Sequence, residues 1–205
     1  MSWDRFVVFE GPDGVGKSTV LNAVADRLRA RGDDVLTTRE PGGSPAAEAM
    51  RTTLLTPEVG GASALSQLLL ITAARVAHWE QTIAPALQSQ QWVLCDRHLD
   101  SSVVYQCRLG GVSVATLEQI NHAAGVTFAP LRIFLETDEQ TAWSRLQDRA
   151  DRNRFDPTHG QQWQKLAAAY RWCRSQYPQG GVAVDASAGV ESVAARCFEV
   201  IEEWR

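Results

Sequence analysis

The chain has 205 residues, a length that suits a single domain built around one hydrophobic core. Its 44% of apolar and 21% of charged residues are typical of a globular protein, which excludes the disordered, collagen-like and low-complexity classes. The formal net charge of −4 argues against a general nucleic-acid or anionic-membrane binder, because such proteins are usually basic.

The four cysteines form no Cys-x-x-Cys pair and have no histidine at metal-ligand spacing, so we expect buried, reduced thiols. The amino-terminal residues lack the long apolar stretch of a signal peptide. No run approaches the ~18 apolar residues that span a bilayer. The sequence therefore predicts a soluble cytoplasmic protein with no membrane partner and no nucleic-acid partner.

Short apolar runs alternate with longer helical patterns along the whole chain, which predicts an α/β sandwich with a parallel sheet. Strands are predicted at 6–9, 35–36, 92–95, 132–135 and 182–184. Helical patterns cover about 17–31, 44–55, 63–89, 113–124, 138–148, 160–176 and 190–204. Ligands bind beyond the carboxyl ends of the strands in such sheets, so polar residues that directly follow a strand are the candidates for function.

The first predicted strand runs into residues 11–18, which form a complete Gly-x-x-x-x-Gly-Lys-Ser sequence. The glycines let the backbone wrap around a polyphosphate, and the helix that begins near Lys17 adds its positive dipole end. We expect Lys17 to reach the β- and γ-phosphates and the Ser18 hydroxyl to bind Mg²⁺. The pattern predicts an ATP site whose candidate residues are Gly11, Asp13, Gly14, Val15, Gly16, Lys17, Ser18 and Thr19.

Asp13 puts a carboxylate inside a loop that is built for phosphates, which is electrostatically costly. Its side chain is therefore expected either to turn away from the phosphates or to bind another group. A substrate hydroxyl is one candidate partner, and the cap of a turn is the alternative role.

Charged residues also follow the second and third predicted strands. Arg39 opens the sequence Arg-Glu-Pro-Gly-Gly at 39–43, whose proline and glycines predict a tight loop that holds Arg39 near the phosphate loop. A solvated surface arginine is the alternative. Asp96 directly follows the third strand and resembles the Walker-B carboxylate that orients Mg²⁺ or its water. Its neighbour Arg97 is expected to meet a phosphate rather than a carboxylate.

Arginines at two further places each allow two interpretations. Arg75 lies within an apolar helical stretch, where a charge needs a partner or a ligand unless its side chain reaches the helix surface. Arg145, Arg149, Arg152 and Arg154 cluster with interleaved aspartates. Such a segment is expected to close over a transferring phosphoryl group, or to form an exposed, salt-bridged connection.

Together these motifs resemble those of thymidylate kinases, the nucleoside monophosphate kinases that phosphorylate dTMP. The matching segments run in family order over almost the whole chain, and they are 9–19, 38–43, 73–75, 96–106, 149–156 and 184–187. The resemblance implies a P-loop NTPase-type three-layer α/β sandwich with a five-stranded parallel sheet surrounded by helices. It further implies one kinase domain over 1–205, with a lid segment near 149–157.

The resemblance also implies roles for the candidate residues, with ATP and Mg²⁺ as cofactors and small-molecule nucleotides as partners. The implied dTMP-binding residues are Asp13 on the 3′-hydroxyl, Arg39, Arg97 and Arg51 near the monophosphate, Arg75 and Gln106 at the base edge, Tyr105 beneath the sugar, and Ser102 and Ile71 beside the base. The phosphate loop contains no arginine, so the chain resembles the bacterial kind, whose lid supplies one. The implied catalytic residues are Lys17, Asp96, Arg97, Arg149 and Arg154, with Arg152 behind them and with Ser18 and Asp96 as Mg²⁺ ligands.

Some departures from the family pattern leave alternatives open. Ile71 stands where a phenylalanine often stacks on thymine, so a related kinase for dUMP or a modified pyrimidine deoxynucleotide is the alternative enzyme. A degenerate nucleotide-binding homologue is a second alternative, whereas a GTPase would need the Asn-Lys-x-Asp signature that this sequence lacks. The resemblance implies a homodimer, to which the helix at 63–89 could contribute, although its apolar surplus fits core burial equally well.

Overall fold

The computed structural model describes residues 4–126, 130–147 and 160–204. Within these ranges the chain forms a parallel sheet of five strands. The strands are β1 (Phe6–Glu10), β2 (Val35–Arg39), β3 (Trp92–Asp96), β4 (Leu131–Glu136) and β5 (Gly181–Asp185). Their order across the sheet is β2-β3-β1-β4-β5, with β1 at the centre. Helices cover both faces, so the predicted three-layer sandwich with a five-stranded parallel sheet is confirmed.

Helices connect the strands and follow most of the predicted patterns. They are α1 (Lys17–Ala30), α2 (Pro45–Leu54), α3 (Pro57–Gly60), α4 (Ala64–His78), α5 (Ala84–Gln88), α6 (Leu99–Ser102), α7 (Val114–Ala123), α8 (Glu139–Gln147), α9 (Gly160–Gln176) and α10 (Val190–Trp204). A π-helical turn at Trp79–Ile83 joins α4 to α5, and a second one at Val103–Leu109 continues α6. Among the helices in the described ranges, none combines the length and hydrophobicity needed to cross a membrane.

The sheet is buried because successive residues of each central strand face opposite helical layers. In β1, Val7 and Phe9 pack in the core that contains Leu28 of α1, whereas Phe6 and Val8 pack in the core on the other face. Helices α1 and α10 also pack against each other on the first face. All four cysteines are buried free thiols, as the sequence predicts.

The strand order brings the ends of β1, β2 and β3 to the same edge of the sheet. Asp96 at the end of β3 is in register with Phe9 of β1 on one side and with Arg39 of β2 on the other. From β1 the chain passes to β2 and β3 on one side of β1, and from β3 it crosses to β4 on the other side, which creates a crevice at the carboxyl ends where ligands bind in such sheets.

We expect Leu28→Ala to destabilise the protein by about 2–5 kcal/mol, because Leu28 is fully buried between α1 and the sheet and its truncation leaves a cavity. Lys165→Ala is the matched control, because Lys165 is exposed on α9, and we expect a change within about 0.5 kcal/mol. Urea unfolding of both variants measures the difference. Equal losses of stability would contradict this assignment of the core.

Candidate active site

A cavity of about 610 Å³ opens at the carboxyl ends of β1, β2 and β3. Nearly all of the site residues predicted from the sequence line it within the described ranges. They are Asp13, Gly14, Val15, Gly16, Lys17, Ser18, Thr19, Arg39, Arg51, Ile71, Arg75, Asp96, Arg97, Ser102, Tyr105 and Gln106. Gly11 does not line the cavity and lies against the backbone of β4. Arg149, Arg152 and Arg154 lie outside the described residues.

The phosphate loop between β1 and α1 needs glycine for two reasons. Gly11 and Gly14 have φ angles of +140° and +88°, which L side chains rarely adopt. A Cβ atom on Gly11 would lie 2.6 Å from the carbonyl oxygen of Leu135, and one on Gly14 would lie 2.5 Å from that of Ala142. The loop therefore packs against β4 and α8 at distances that exclude any side chain.

Lys17 is buried at the first turn of α1, where its ammonium group faces the loop. Its Nζ donates to the carbonyl oxygen of Pro12 at 3.0 Å and lies 4.0 Å from Oδ1 of Asp13. Burial, together with the nearby charge of Arg97, lowers the pKa of Lys17. A buried cation inside a loop of backbone amides is suited to bind phosphate oxygens.

Ser18 and Asp96 meet across the crevice between α1 and β3. The Ser18 hydroxyl donates to Oδ2 of Asp96 at 2.5 Å. Hydroxyl and carboxylate oxygens are the donors that Mg²⁺ prefers, and Mg²⁺ typically takes only one or two protein groups beside phosphates and waters. The pair therefore fits the proposed metal, with Lys17 on one side and Arg39 in register on the other.

Asp13 turns toward the acceptor side of the cavity, where it binds two side chains from beyond β3. Its Oδ1 accepts from Nη2 of Arg97 at 2.7 Å, and its Oδ2 accepts from the Tyr105 hydroxyl at 3.2 Å. The structure thus pairs Arg97 with a carboxylate, whereas its expected contact with a phosphate stays a prediction. The physical reason for this pairing is that β1 and β3 are neighbours in the sheet, which brings the two charges together. A buried guanidinium needs a negatively charged group beside it.

A second carboxylate, Glu10, holds the turn in which Arg97 lies. Arg97 has a φ angle of +70°, an uncommon conformation for a residue with a side chain. Glu10 is fully buried and accepts from the backbone N–H of His98 at 2.7 Å and from the Ser101 hydroxyl at 2.7 Å. Burial, with a contribution from Asp100, raises the pKa of Glu10 to about 7. The sequence analysis assigned no role to Glu10, although it is the only charged residue of the first strand.

Arg39 and Arg51 line the cavity from β2 and α2. Arg39 donates from Nη2 to both carboxylate oxygens of Glu48 at 3.0 Å, and its side chain is about half exposed. Arg51 donates from Nη1 to the carbonyl oxygen of Pro41 at 2.8 Å. The loop at 39–43 therefore carries Arg39 and holds Arg51 through a backbone carbonyl group.

The far end of the cavity is formed by the apolar side chain of Ile71 and by buried polar groups. Arg75 is only 2% exposed, and Gln106 and Ser102 are also buried. Arg75 donates from Nη2 to Ser102 Oγ at 3.0 Å and from Nε to Glu40 Oε2 at 2.7 Å. Of the two interpretations of Arg75, the structure thus supports a buried, paired guanidinium.

Glu40 is a site residue that the sequence analysis missed, although it lies inside the Arg-Glu-Pro-Gly-Gly sequence. Its buried carboxylate contacts Arg75, His78 and His98. Burial alone would raise the pKa of Glu40, but the two histidines and Arg75 hold it well below its ordinary range. Burial lowers the pKa of His98 to about 4, so that ring is neutral at pH 7 and Arg75 carries the balancing charge.

The opposite end of the cavity is lined by residues from α8 and from the segment after β5. Arg145 donates from its two Nη atoms to the carbonyl oxygen of Ala186 at 3.1 Å, and from Nη1 to that of Val15 at 3.3 Å. Ala188 and Val190 continue this wall. The flat guanidinium of Arg145, which lies beside these small apolar side chains, is suited to contact the face of a planar ring. The sequence analysis placed Arg145 only in the arginine cluster.

The family comparison covers most of the chain. The model of the thymidylate kinase family matches residues 9–196. A thymidylate kinase of Teredinibacter turnerae is 39% identical over 168 residues, which are 82% of this chain and 82% of that protein. A thymidylate kinase of Bacillus licheniformis is 36% identical over 201 residues, which are 97% of this chain and 95% of that protein.

A solved structure supports the same fold. The crystal structure of thymidylate kinase from Ehrlichia chaffeensis matches with a TM-score of 0.75 and 24% sequence identity, over 96% of this chain and 97% of that one. At that identity the likeness establishes the fold alone. The family match and the sequence relatives go further, and they establish that the chain belongs to the thymidylate kinase family of nucleoside monophosphate kinases.

Proposed function

We propose that the protein transfers the γ-phosphoryl group of ATP to dTMP, giving dTDP and ADP, in a Mg²⁺-dependent reaction. The observation that carries the proposal is one cavity that holds both a phosphate loop and a separate group of arginines from β2, α2 and the turn after β3. Backbone amides suit the triphosphate, and guanidinium groups suit the monophosphate. The relatives from T. turnerae and B. licheniformis, both thymidylate kinases, support dTMP as the acceptor.

The acceptor is proposed to lie along the arginine side of the cavity. Arg39 and Arg97 would bind its monophosphate, with Arg51 nearby. Asp13 would accept a hydrogen bond from the 3′-hydroxyl, and Tyr105 would pack beneath the sugar. The hydrogen bond between Tyr105 and Asp13 and the stacking of Arg97 over the Tyr105 ring support this assignment, because they join the sugar and phosphate contacts into one rigid group.

The base of the acceptor is proposed to occupy the end formed by Ile71, Arg75, Ser102 and Gln106. An arginine offers only donors, so Arg75 would favour the carbonyl edge of thymine over the amino edge of cytosine. Ile71 provides an apolar wall, so the base would contact an aliphatic side chain there instead of stacking on an aromatic ring.

Phosphoryl transfer needs in-line positioning and neutralisation of charge rather than covalent chemistry by the protein. The phosphate oxygen of the acceptor is itself the nucleophile, so no strong protein base is required. Lys17 and Arg97 would share the negative charge on the transferring group, and Arg149 and Arg154 are proposed to complete the set from the lid near 149–157. Closure of that lid would exclude water and limit hydrolysis of ATP.

Mg²⁺ is proposed to bind at the Ser18 and Asp96 oxygens. Held by these two side chains, the ion would supply positive charge that offsets part of the negative charge of the triphosphate. The protein's contribution is the geometry, because the side chain from α1 and the side chain from β3 lie within 2.5 Å of each other.

We also propose a single domain over 1–205, a homodimer and a cytoplasmic location. Three large apolar side chains support a subunit interface, because Leu65, Leu69 and Leu109 are 42–51% exposed and belong to neighbouring segments, α4 and the second π-helical turn. A kinase that consumes ATP and a deoxynucleotide works where both are available, which supports the cytoplasm.

Lys17→Ala should lower kcat on the order of 10²–10³-fold, because it removes a charge that stabilises the transferring phosphoryl group. Lys165→Ala is the matched control, since Lys165 is exposed on α9 and should leave kcat unchanged. Coupled detection of ADP at saturating ATP and dTMP measures both. Near-normal turnover of the Lys17 variant would contradict the proposed mechanism.

The unmodified protein should show its highest kcat/KM for dTMP among dTMP, dUMP, dCMP and the purine deoxynucleoside monophosphates. The reason is the apolar wall at Ile71 beside the donor groups of Arg75. Chromatographic detection of each diphosphate with ATP as donor measures the order. A preference for any other acceptor would overturn dTMP as the substrate, and binding without product would indicate a degenerate homologue.

Asp96→Asn should raise the Mg²⁺ concentration for half-maximal activity by about ten-fold or more, because a carboxylate that orients the ion or its water is lost. Asp26→Asn is the control, because Asp26 is an exposed partner of Arg29 on α1. Titration of activity with Mg²⁺ at constant ATP compares the two. An unchanged Mg²⁺ requirement in the Asp96 variant would exclude its role at the metal.

A further inference from the structure

Arg75 is held by the protein through two of its three nitrogens. Nε donates to Oε2 of Glu40 at 2.7 Å, and Nη2 donates to the carbonyl oxygen of His98 at 3.1 Å and to the Ser102 hydroxyl at 3.0 Å. Nη1 is buried and has no hydrogen-bond partner among the residues that the structure describes, although Arg75 lines the cavity. An unsatisfied buried N–H group is costly, so this nitrogen is suited to bind an acceptor atom of a ligand.

The contact with Glu40 decides the orientation of that free nitrogen. A guanidinium is planar, so bonds at both Nε and Nη2 fix its plane and its rotation and leave Nη1 in one direction. Without the Glu40 carboxylate, the hydrogen bond at Nε would be lost and the group would be held at Nη2 alone. The buried charge of Arg75 would also lose its counter-ion, since Glu40 is the carboxylate that its side chain contacts.

Glu40 is itself fixed from its other side by histidines of α4 and of the turn after β3. Its Oε1 lies 3.3 Å from Nδ1 of His78 and 3.4 Å from Nε2 of His98. A carboxylate only accepts, so the His78 ring donates from Nδ1, and its Nε2 forms a hydrogen bond of 2.7 Å with the Thr38 hydroxyl. A Cβ atom on Gly43 would lie 2.3 Å from Nε2 of His78, so glycine at this position leaves room for the hydrogen bond.

We propose that Glu40, supported by His78 and Thr38, is a positioning residue that orients Nη1 of Arg75 toward the base of the acceptor and thereby sets discrimination between carbonyl and amino pyrimidines. The proposal rests on the proposed function, because it deepens the base-binding role of Arg75. The alternative is that Glu40 only anchors the loop at 39–43. The two roles predict different changes in affinity. Loss of an anchor would weaken the binding of every nucleotide equally, whereas loss of a positioning residue would weaken the binding of those that present a carbonyl at the base edge.

The experiment measures dissociation constants of dTMP, dUMP and dCMP for the full chain by calorimetry, with dCMP measured by displacement of dTMP. Glu40→Gln should weaken the binding of dTMP and dUMP by about ten-fold or more, which is the scale of one hydrogen bond to a charged group. It should leave the dissociation constant of dCMP nearly unchanged. Asp100→Asn is the matched control, because Asp100 is also buried and pairs with Arg132 at 2.7 Å. It should leave the ratio of dCMP to dTMP constants as in the unmodified protein.

A double-variant cycle tests whether Glu40 acts through Arg75. Arg75→Met should lower the same ratio, and adding Glu40→Gln to it should change the ratio no further. Equal weakening of all three nucleotides by Glu40→Gln, or a further fall of the ratio in the Arg75→Met background, would overturn the proposal. If Glu40→Gln does not unfold cooperatively, Glu40→Asp is measured instead, because it keeps the charge but cannot reach Arg75 and both histidines together. An unchanged ratio in that variant would also overturn the proposal.

The binding readout separates this inference from the proposed function. If the unmodified protein phosphorylates none of the three nucleotides, the proposed reaction fails while the binding ratio is still measured. If dTMP is phosphorylated and the ratio is insensitive to Glu40, the positioning role fails while the proposed reaction stands.

Discussion

The ion pair between Arg97 and Asp13 joins the two halves of the cavity, because one residue follows β3 and the other lies in the phosphate loop after β1. Their 2.7 Å contact depends on the pairing of β1 with β3, which brings the two strand ends side by side. The Arg97 guanidinium also donates to the carbonyl oxygen of Gly11 and lies over the rings of Tyr105 and Tyr170. Arg97 is therefore bonded directly to the phosphate loop, so a ligand that binds Arg97 binds a side chain fixed by that loop.

Buried charges organise the rest of the cavity wall, and each is held by hydrogen bonds to neighbouring groups. Glu10 accepts from the turn that carries Arg97, and Glu40 holds Arg75 from the loop after β2. Such networks are costly when one member is lost and rigid when all are satisfied. Rigidity suits phosphoryl transfer, which depends on the position of charged groups more than on their chemical reactivity.

The strands show where sequence patterns reach their limit. Four of the predicted strands agree with the observed ones to within one residue at each end, and for β1, β3 and β4 the reason is that their apolar runs are buried between two helical layers. For β2 the apolar residues predicted only 35–36, yet the strand extends to Arg39 because the two threonines and Arg39 pair with β3. Likewise α3 and α6 have four residues each, which is too short for a helical period to appear in the sequence.

The sequence by itself determined the phosphate loop, the parallel α/β order and most of the cavity-lining residues, because glycine conformation, helix dipoles and apolar periodicity act between residues that are close along the chain. Only the tertiary structure decided which charges meet. Arg75 and Glu40 are 35 positions apart, and Arg97 and Asp13 are 84 apart. Such pairs form because strand order and helix packing bury the two residues side by side. A buried charge needs a neighbouring group of opposite charge, however distant that group is along the chain.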